Sequence, residues 1–158
     1  MGSGVIMAAE MVAEAPGAHV AAALGVMTRP QGIAAQHLAG AHAMTDVTGF
    51  GLIGHLTNMV QASGVGAQIA LDAVPLLDGA LTLAQKGIRS SLYAQNRAGF
   101  DHIPDTDHHA LLFDPQTGGG LLAAIPEGEA CLARLREDGF EAALIGQVTD
   151  VPGQIASV

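Results

Sequence analysis

The sequence predicts an α+β fold: a mixed sheet with helices packed on one face. Two patterns lead there. Three helical segments fill the first 40 residues with no strand between them, and from residue 43 onward short strands alternate with helices. Composition adds a third observation. Hydrophobic residues make up 49%, only 3% are aromatic and none is Trp, so the core is aliphatic. The 158 residues fit a single domain spanning 1–158 around one such core.

The elements follow in order. Val5, Met7, Ala8, Met11 and Val12 recur at helical spacing, and Pro16-Gly17 breaks that first helix. A second helix runs from His19 to Met27, where Arg29-Pro30 interrupts, and a third from Gln31 to Leu38, with Gly40 as a stop. Ala43–Val47 reads as a strand and Thr48–Gly51 as a turn. Leu52, Ile53, Leu56, Met59 and Val60 then form the apolar stripe of a helix that stops at Ser63-Gly64. Val65–Leu71 reads as a strand and Ala80–Gln85 as a helix ending at Gly87. Residues 99–109 are polar and Pro-broken, a loop. Ala110–Phe113 follows as a strand, Pro115–Gly119 as a turn and Gly120–Ile125 as another strand. Pro126 with Glu127 and Glu129 opens a helix, its acids near the positive end of the dipole. That helix buries Cys131, Leu132 and Leu135 and stops at Gly139. Ala142–Val148 is a strand, and the last residues add one more.

Charge narrows the function classes. Fifteen acidic and six basic residues give a net charge of -9. Nucleic-acid binding needs a basic face to replace counterions, and anionic membranes repel an acidic surface. A nucleotide held through metal ions stays compatible. No run of about 20 apolar residues predicts a membrane span. Residues 4–14 are apolar but carry Glu10 and Glu14 and lack a basic leading region, so they do not read as a signal peptide. The single cysteine, Cys131, permits no intramolecular disulfide and points to a reducing compartment, the cytoplasm. On the apolar side of its helix it reads as packing.

Two segments carry chemistry. In Thr45-Asp46-Val47-Thr48-Gly49-Phe50-Gly51-Leu52-Ile53-Gly54-His55-Leu56, a strand ends in a carboxylate, followed by a glycine turn and a helix start. Asp46 suits a hard cation such as Mg²⁺, and the glycines let backbone N–H groups approach an anion. The same pattern also describes a plain tight turn with Asp46 or Thr48 as helix cap. In Phe113-Asp114-Pro115-Gln116-Thr117-Gly118-Gly119-Gly120-Leu121-Leu122, Asp-Pro opens a turn and three glycines permit unusual backbone angles, for a ligand or for a strand connection.

Taken together, in order, the two blocks resemble those of the selenophosphate synthetase (selenide, water dikinase) family. Leu76-Leu77-Asp78-Gly79-Ala80, Gly87-Ile88-Arg89-Ser90-Ser91-Leu92 with Asn96-Arg97, and Gly2-Ser3-Gly4-Val5-Ile6 extend the resemblance over nearly the whole chain. The resemblance implies the C-terminal domain of a two-domain enzyme of the aminoimidazole-ribonucleotide-synthetase superfamily. Such enzymes use ATP and Mg²⁺ to convert selenide to selenophosphate, AMP and phosphate. It implies an N-terminal ATP-binding domain, absent from this chain, that supplies a Lys, a Cys or selenocysteine and most of the metal-binding aspartates. It also implies a homodimer for the full enzyme. The family metal ligand carries over to Asp46. Thr48, Gly49, Gln116, Thr117 and Gly118 become nucleotide-binding, cleft-lining candidates, and no catalytic residue is assigned to the chain. A non-catalytic module of the same fold and a related kinase-like superfamily enzyme are the alternatives.

Two further features attract notice. Asp101, His102, Asp105, Asp107, His108 and His109 share one loop, which reads either as a metal site or as a solvated polar segment. His55, one helical turn after Gly51, reads as a capping, packing or catalytic histidine.

Overall fold

The computed structural model describes all of Met1–Val158. In chain order it contains α1 (Ser3–Met11), α2 (Gly17–Met27), α3 (Gly32–His37), β1 (Ala43–Asp46), α4 (Gly51–Ser63) and β2 (Gly66–Ile69). There follow α5 (Ala80–Gln85), α6 (Tyr93–Arg97), α7 (Asp107–Ala110), β3 (Leu121–Ala124), α8 (Gly128–Glu137), β4 (Gly146–Thr149) and β5 (Ile155–Ser157). Short 3-10 turns occupy Leu71–Ala73 and Leu111–Phe113. The α+β class holds. The strands are divided between two small sheets, an antiparallel pair and a mixed triplet. No helix is long and apolar enough to cross a membrane.

The chain falls into two compact units, each assembled from three separate stretches. The first comprises Met1–Arg29, Val47–His55 and Leu76–Gly119. Its core joins Val5, Ile6 and Ala9 of α1, Ala23 of α2, Ala80, Leu83 and Ala84 of α5, and Leu111. These are small or aliphatic side chains, as a chain almost without aromatics requires. Helix α1 buries Ser3, Val5, Ile6 and Ala9, whereas Met11 and Val12 are 87% and 62% exposed. The helical spacing is therefore right but the buried stripe differs. The helix ends at Met11 with Val12 as its C-cap, and Ala13, with φ of 58°, turns the chain directly after it.

Two expectations fail in this unit. Ala110–Phe113 is not a strand but the end of α7 and a 3-10 turn. All four residues are buried, and a run buried on every side lacks the period that separates strand from helix. Within the loop expected at 99–109, Thr106 caps α7: its side chain accepts from the His109 N–H at 3.2 Å, with Asp107 in the first turn.

The second unit comprises Pro30–Asp46, Leu56–Pro75 and Gly120–Val158. Here β1 pairs antiparallel with β3, Ala43 opposite Ala124 and Asp46 opposite Leu121. Strand β2 lies between β4, antiparallel, and β5, parallel. Ala34 and Leu38 meet Cys131 and Leu135 of α8 in a second core. Cys131 is buried there with its thiol 3.5 Å from the His37 carbonyl, a packing residue as expected. The strand expected from Ala142 begins only at Gly146, and the Ala142 carbonyl is instead taken by the Arg136 guanidinium at 3.0 Å.

Candidate functional site

The two motif blocks meet within the first unit, through backbone. The Gln116 N–H donates to the Thr48 carbonyl at 2.9 Å. Gly51, the first residue of α4, has φ of 68°, and a Cβ there would lie 2.7 Å from the Phe113 carbonyl carbon. Only glycine satisfies both the left-handed backbone and the close approach. The abundance of glycine in both blocks thus has a local cause: their main chains press against each other.

Side chains then fix each turn. His55 Nε2 accepts from the Thr48 N–H at 2.9 Å and lies 3.1 Å from the Thr48 hydroxyl. His55 is therefore a turn-holding residue at the start of α4, its ring also tilted against Phe50 at 5.7 Å. Asn96 donates to the Gly49 carbonyl at 2.8 Å and to the Phe113 carbonyl at 3.0 Å.

The second turn is anchored to the N-terminus of α1. Gln116, itself buried, accepts through Oε1 from the Gly2 and Ser3 N–H groups at 3.1 and 3.2 Å. Its Nε2 donates to Asp114 Oδ2 at 3.0 Å, and the same carboxylate oxygen accepts from the Gly4 N–H at 2.9 Å. Ser3 Oγ accepts from the Thr117 N–H at 3.1 Å. Four N-terminal N–H groups of a helix lack intrahelical partners, and Asp114 and Gln116 supply them. Burial pushes the Asp114 carboxyl up to about 6, against the opposing pull of its bonds from Val5, Gln116 and Gly4.

The candidates separate accordingly. Gln116 is engaged on both ends of its amide, and the N–H groups of Thr48, Gln116 and Thr117 are taken within the chain. The N–H groups of Gly49 and Gly118 have no partner in the chain, and Thr117 and Gly118 are exposed. Asp46 belongs to the second unit, exposed at the end of β1. Sequence reasoning missed Ser3, Asn96 and Asp114 as organisers. Their signal was present in the Gly-Ser-Gly, Asn-Arg and Asp-Pro-Gln strings, but their partners lie as many as 114 residues away.

The acidic and histidine-rich loop holds no metal cage, since no group of three or more His, Cys, Asp or Glu in the chain could hold an ion. Asp107 instead pairs with Arg89 at 2.6 Å, and Thr106 Oγ1 lies 2.7 Å from His109 Nδ1. Partial burial, with His108 and Arg97 nearby, holds the His109 imidazole below its ordinary range.

Comparison with known proteins gives a consistent picture. A family model described as AIR synthase related protein, C-terminal domain, matches residues 1–158. A selenide, water dikinase of Burkholderia pseudomallei (strain K96243) is 42% identical over 134 residues, covering 78% of this chain and 37% of that protein. One of Escherichia coli O6:H1 (strain CFT073) is 38% identical over 165 residues, covering all of this chain and 48% of that protein. The chain thus spans about half or less of the length of the curated relatives it matches. The crystal structure of the hydrogenase maturation protein HypE in complex with ATP aligns at a TM-score of 0.54 and 24% identity, over 75% of this chain and 32% of that one. At that identity the likeness speaks for the fold.

Proposed function

Because the chain belongs to the AIR synthase related, C-terminal domain family, we propose that it is the C-terminal domain of a two-domain, ATP-dependent selenophosphate synthetase. The reaction is selenide, ATP and water to selenophosphate, AMP and phosphate. The relatives that match most or all of the chain carry the name selenide, water dikinase, and a fold neighbour holds ATP. The observation that carries the reading is the bond from the Gln116 N–H to the Thr48 carbonyl. It joins the two motif blocks while leaving the N–H groups of Gly49 and Gly118 unengaged.

In this reading the candidate residues divide into two tasks. Gly49 and Gly118 offer backbone donors to phosphate oxygens, with the exposed Thr117 hydroxyl beside Gly118 in the chain. Thr48 and Gln116 hold the turns that present them. Asp46 holds Mg²⁺. Its exposed carboxylate is a hard oxygen donor, and Mg²⁺ is commonly bound by one or two carboxylates together with substrate phosphates and water. The chain has no further cluster for the ion. The remaining protein ligands therefore come from the N-terminal domain, the partner this reading requires. When bound, Mg²⁺ neutralises charge on the phosphate oxygens. Homodimerisation and a cytoplasmic location belong to the full-length protein in the same reading.

The test is turnover. Full-length protein given ATP and selenide should release AMP and phosphate, and residues 1–158 alone should not, because one carboxylate cannot position Mg²⁺–ATP for in-line transfer. Selenide-dependent AMP release by residues 1–158 alone would overturn this division of labour. Its absence from the full-length protein would overturn the activity.

A further inference from the structure

We propose that Asn96 is a positioning residue that couples the first glycine turn to the Leu111–Phe113 segment leading into the second, so that the two turns order and loosen as one element. Its functional consequence rests on the nucleotide-site reading above, but the coupling itself does not. The half-buried side chain of Asn96 sends both hydrogens of one amide to two carbonyls in different motif blocks, Gly49 at 2.8 Å and Phe113 at 3.0 Å. One planar amide with two donors has a fixed spread, so it sets the spacing of the two carbonyls.

The platform beneath it is well packed. Phe113 is fully buried, its ring 5.5 Å from Phe100 and under the Arg97 guanidinium at 5.0 Å. Arg97 donates to the Phe100 carbonyl and, at 2.6 Å, to the Ile103 carbonyl, which ties down the chain just after α6. Asn96 therefore stands on a braced element and reaches one carbonyl of each motif block. Around Asn96 the blocks also meet through backbone: the bond from Gln116 to Thr48, the Gly51 contact with Phe113 and the close approach of Gly119 to the Val47 carbonyl. Removing Asn96 leaves two part-buried carbonyls short of a donor, one in the first glycine turn and one at the entry to the second, a cost that falls on this region and not on the aliphatic core.

Hydrogen exchange of the full-length protein tests this. The variant Asn96→Asp keeps the shape but turns acceptors toward both carbonyls, and Asn96→Ala removes the amide altogether. The reporter amides are Thr48 and Gly51 for one turn and Asp114 and Gln116 for the other. All four are hydrogen-bonded within this region. In both variants exchange should speed up at least about tenfold in both turns together, with Leu83 of α5 unchanged within about twofold. In the same variants the KM for ATP should rise more than kcat falls, as expected when ground-state positioning is loosened. Loosening of one turn alone, no change in either, or uniform loosening that includes α5 would each overturn the coupling. Should Asn96→Ala fail to fold, the isosteric Asn96→Asp decides. If exchange behaves as expected but the wild-type protein neither binds nor turns over ATP, the coupling stands and the nucleotide-site reading falls.

Discussion

The two compact units handle polar groups in opposite ways. In the first, the motif turns are enclosed by bonds from His55, Asn96, Ser3 and Gln116, and the Asp114 carboxylate is buried against the N-terminus of α1. In the second, the chemically interesting group is a lone exposed carboxylate, Asp46, at the end of a four-residue strand. A buried, fully bonded polar network specifies backbone position, because each unmade bond costs free energy. An exposed carboxylate contributes little to the fold and remains available to a cation. The contrast separates residues that hold backbone in place from a residue whose charge is free of structural duty. Substitutions in the two classes should therefore part company, the first changing stability and the second changing activity.

The largest effect is expected at Gly51. Gly51→Ala places a Cβ against the Phe113 backbone at a left-handed φ. Strain and overpacking together should cost about 3 kcal/mol or more in urea unfolding. A loss under about 1 kcal/mol would show that the two blocks are not pressed together as described.

A smaller, pH-dependent effect is expected at Asp114. Its folded-state pKa of about 6 lies above the ordinary 3.8, so the folded state binds the proton more tightly than the unfolded chain. The stabilisation from this proton is complete below about pH 3.8 and is lost as pH rises through about 6. Relative to Asp114→Asn, the wild type should lose up to about 3 kcal/mol between pH 4 and 7. A stability difference that does not vary with pH over that range would contradict the buried-carboxylate account.

The smallest effect is expected at the exposed pair Lys86–Glu14, 3.6 Å apart. Glu14→Gln should change stability by less than about 0.5 kcal/mol, since exposed ion pairs are screened and entropically costly. A larger loss would mean that surface charge, and not the buried network, holds α1 to α5.

How legible these units were in the sequence follows the same physics. Helices with clear stops at Gly64, Gly87 and Gly139 were readable, and all three glycines adopt positive φ. The burial of Cys131 followed from its helical face. Ala110–Phe113 was misread because all four side chains are buried, leaving no alternation to read. The short α6 carries no apolar stripe and no cap bond, so nothing in its five residues announced it. The motif strings marked where chemistry gathers but not which residues would face a ligand. Gln116 looked like a ligand-binding side chain, yet in the structure its amide is engaged by Gly2, Ser3 and Asp114. That distinction depends on contacts between residues more than 100 positions apart, which no local pattern encodes.

The central claim, that Asp46 supplies charge and not structure, is tested most directly by Asp46→Asn in the full-length protein. The variant keeps the shape and one acceptor but removes the charge. Selenide-dependent AMP release should fall at least about tenfold, a loss of about 1.4 kcal/mol of transition-state stabilisation. Metal-free thermal stability should be unchanged or slightly higher. A variant that keeps full activity but melts earlier would contradict the account and make Asp46 a structural turn residue.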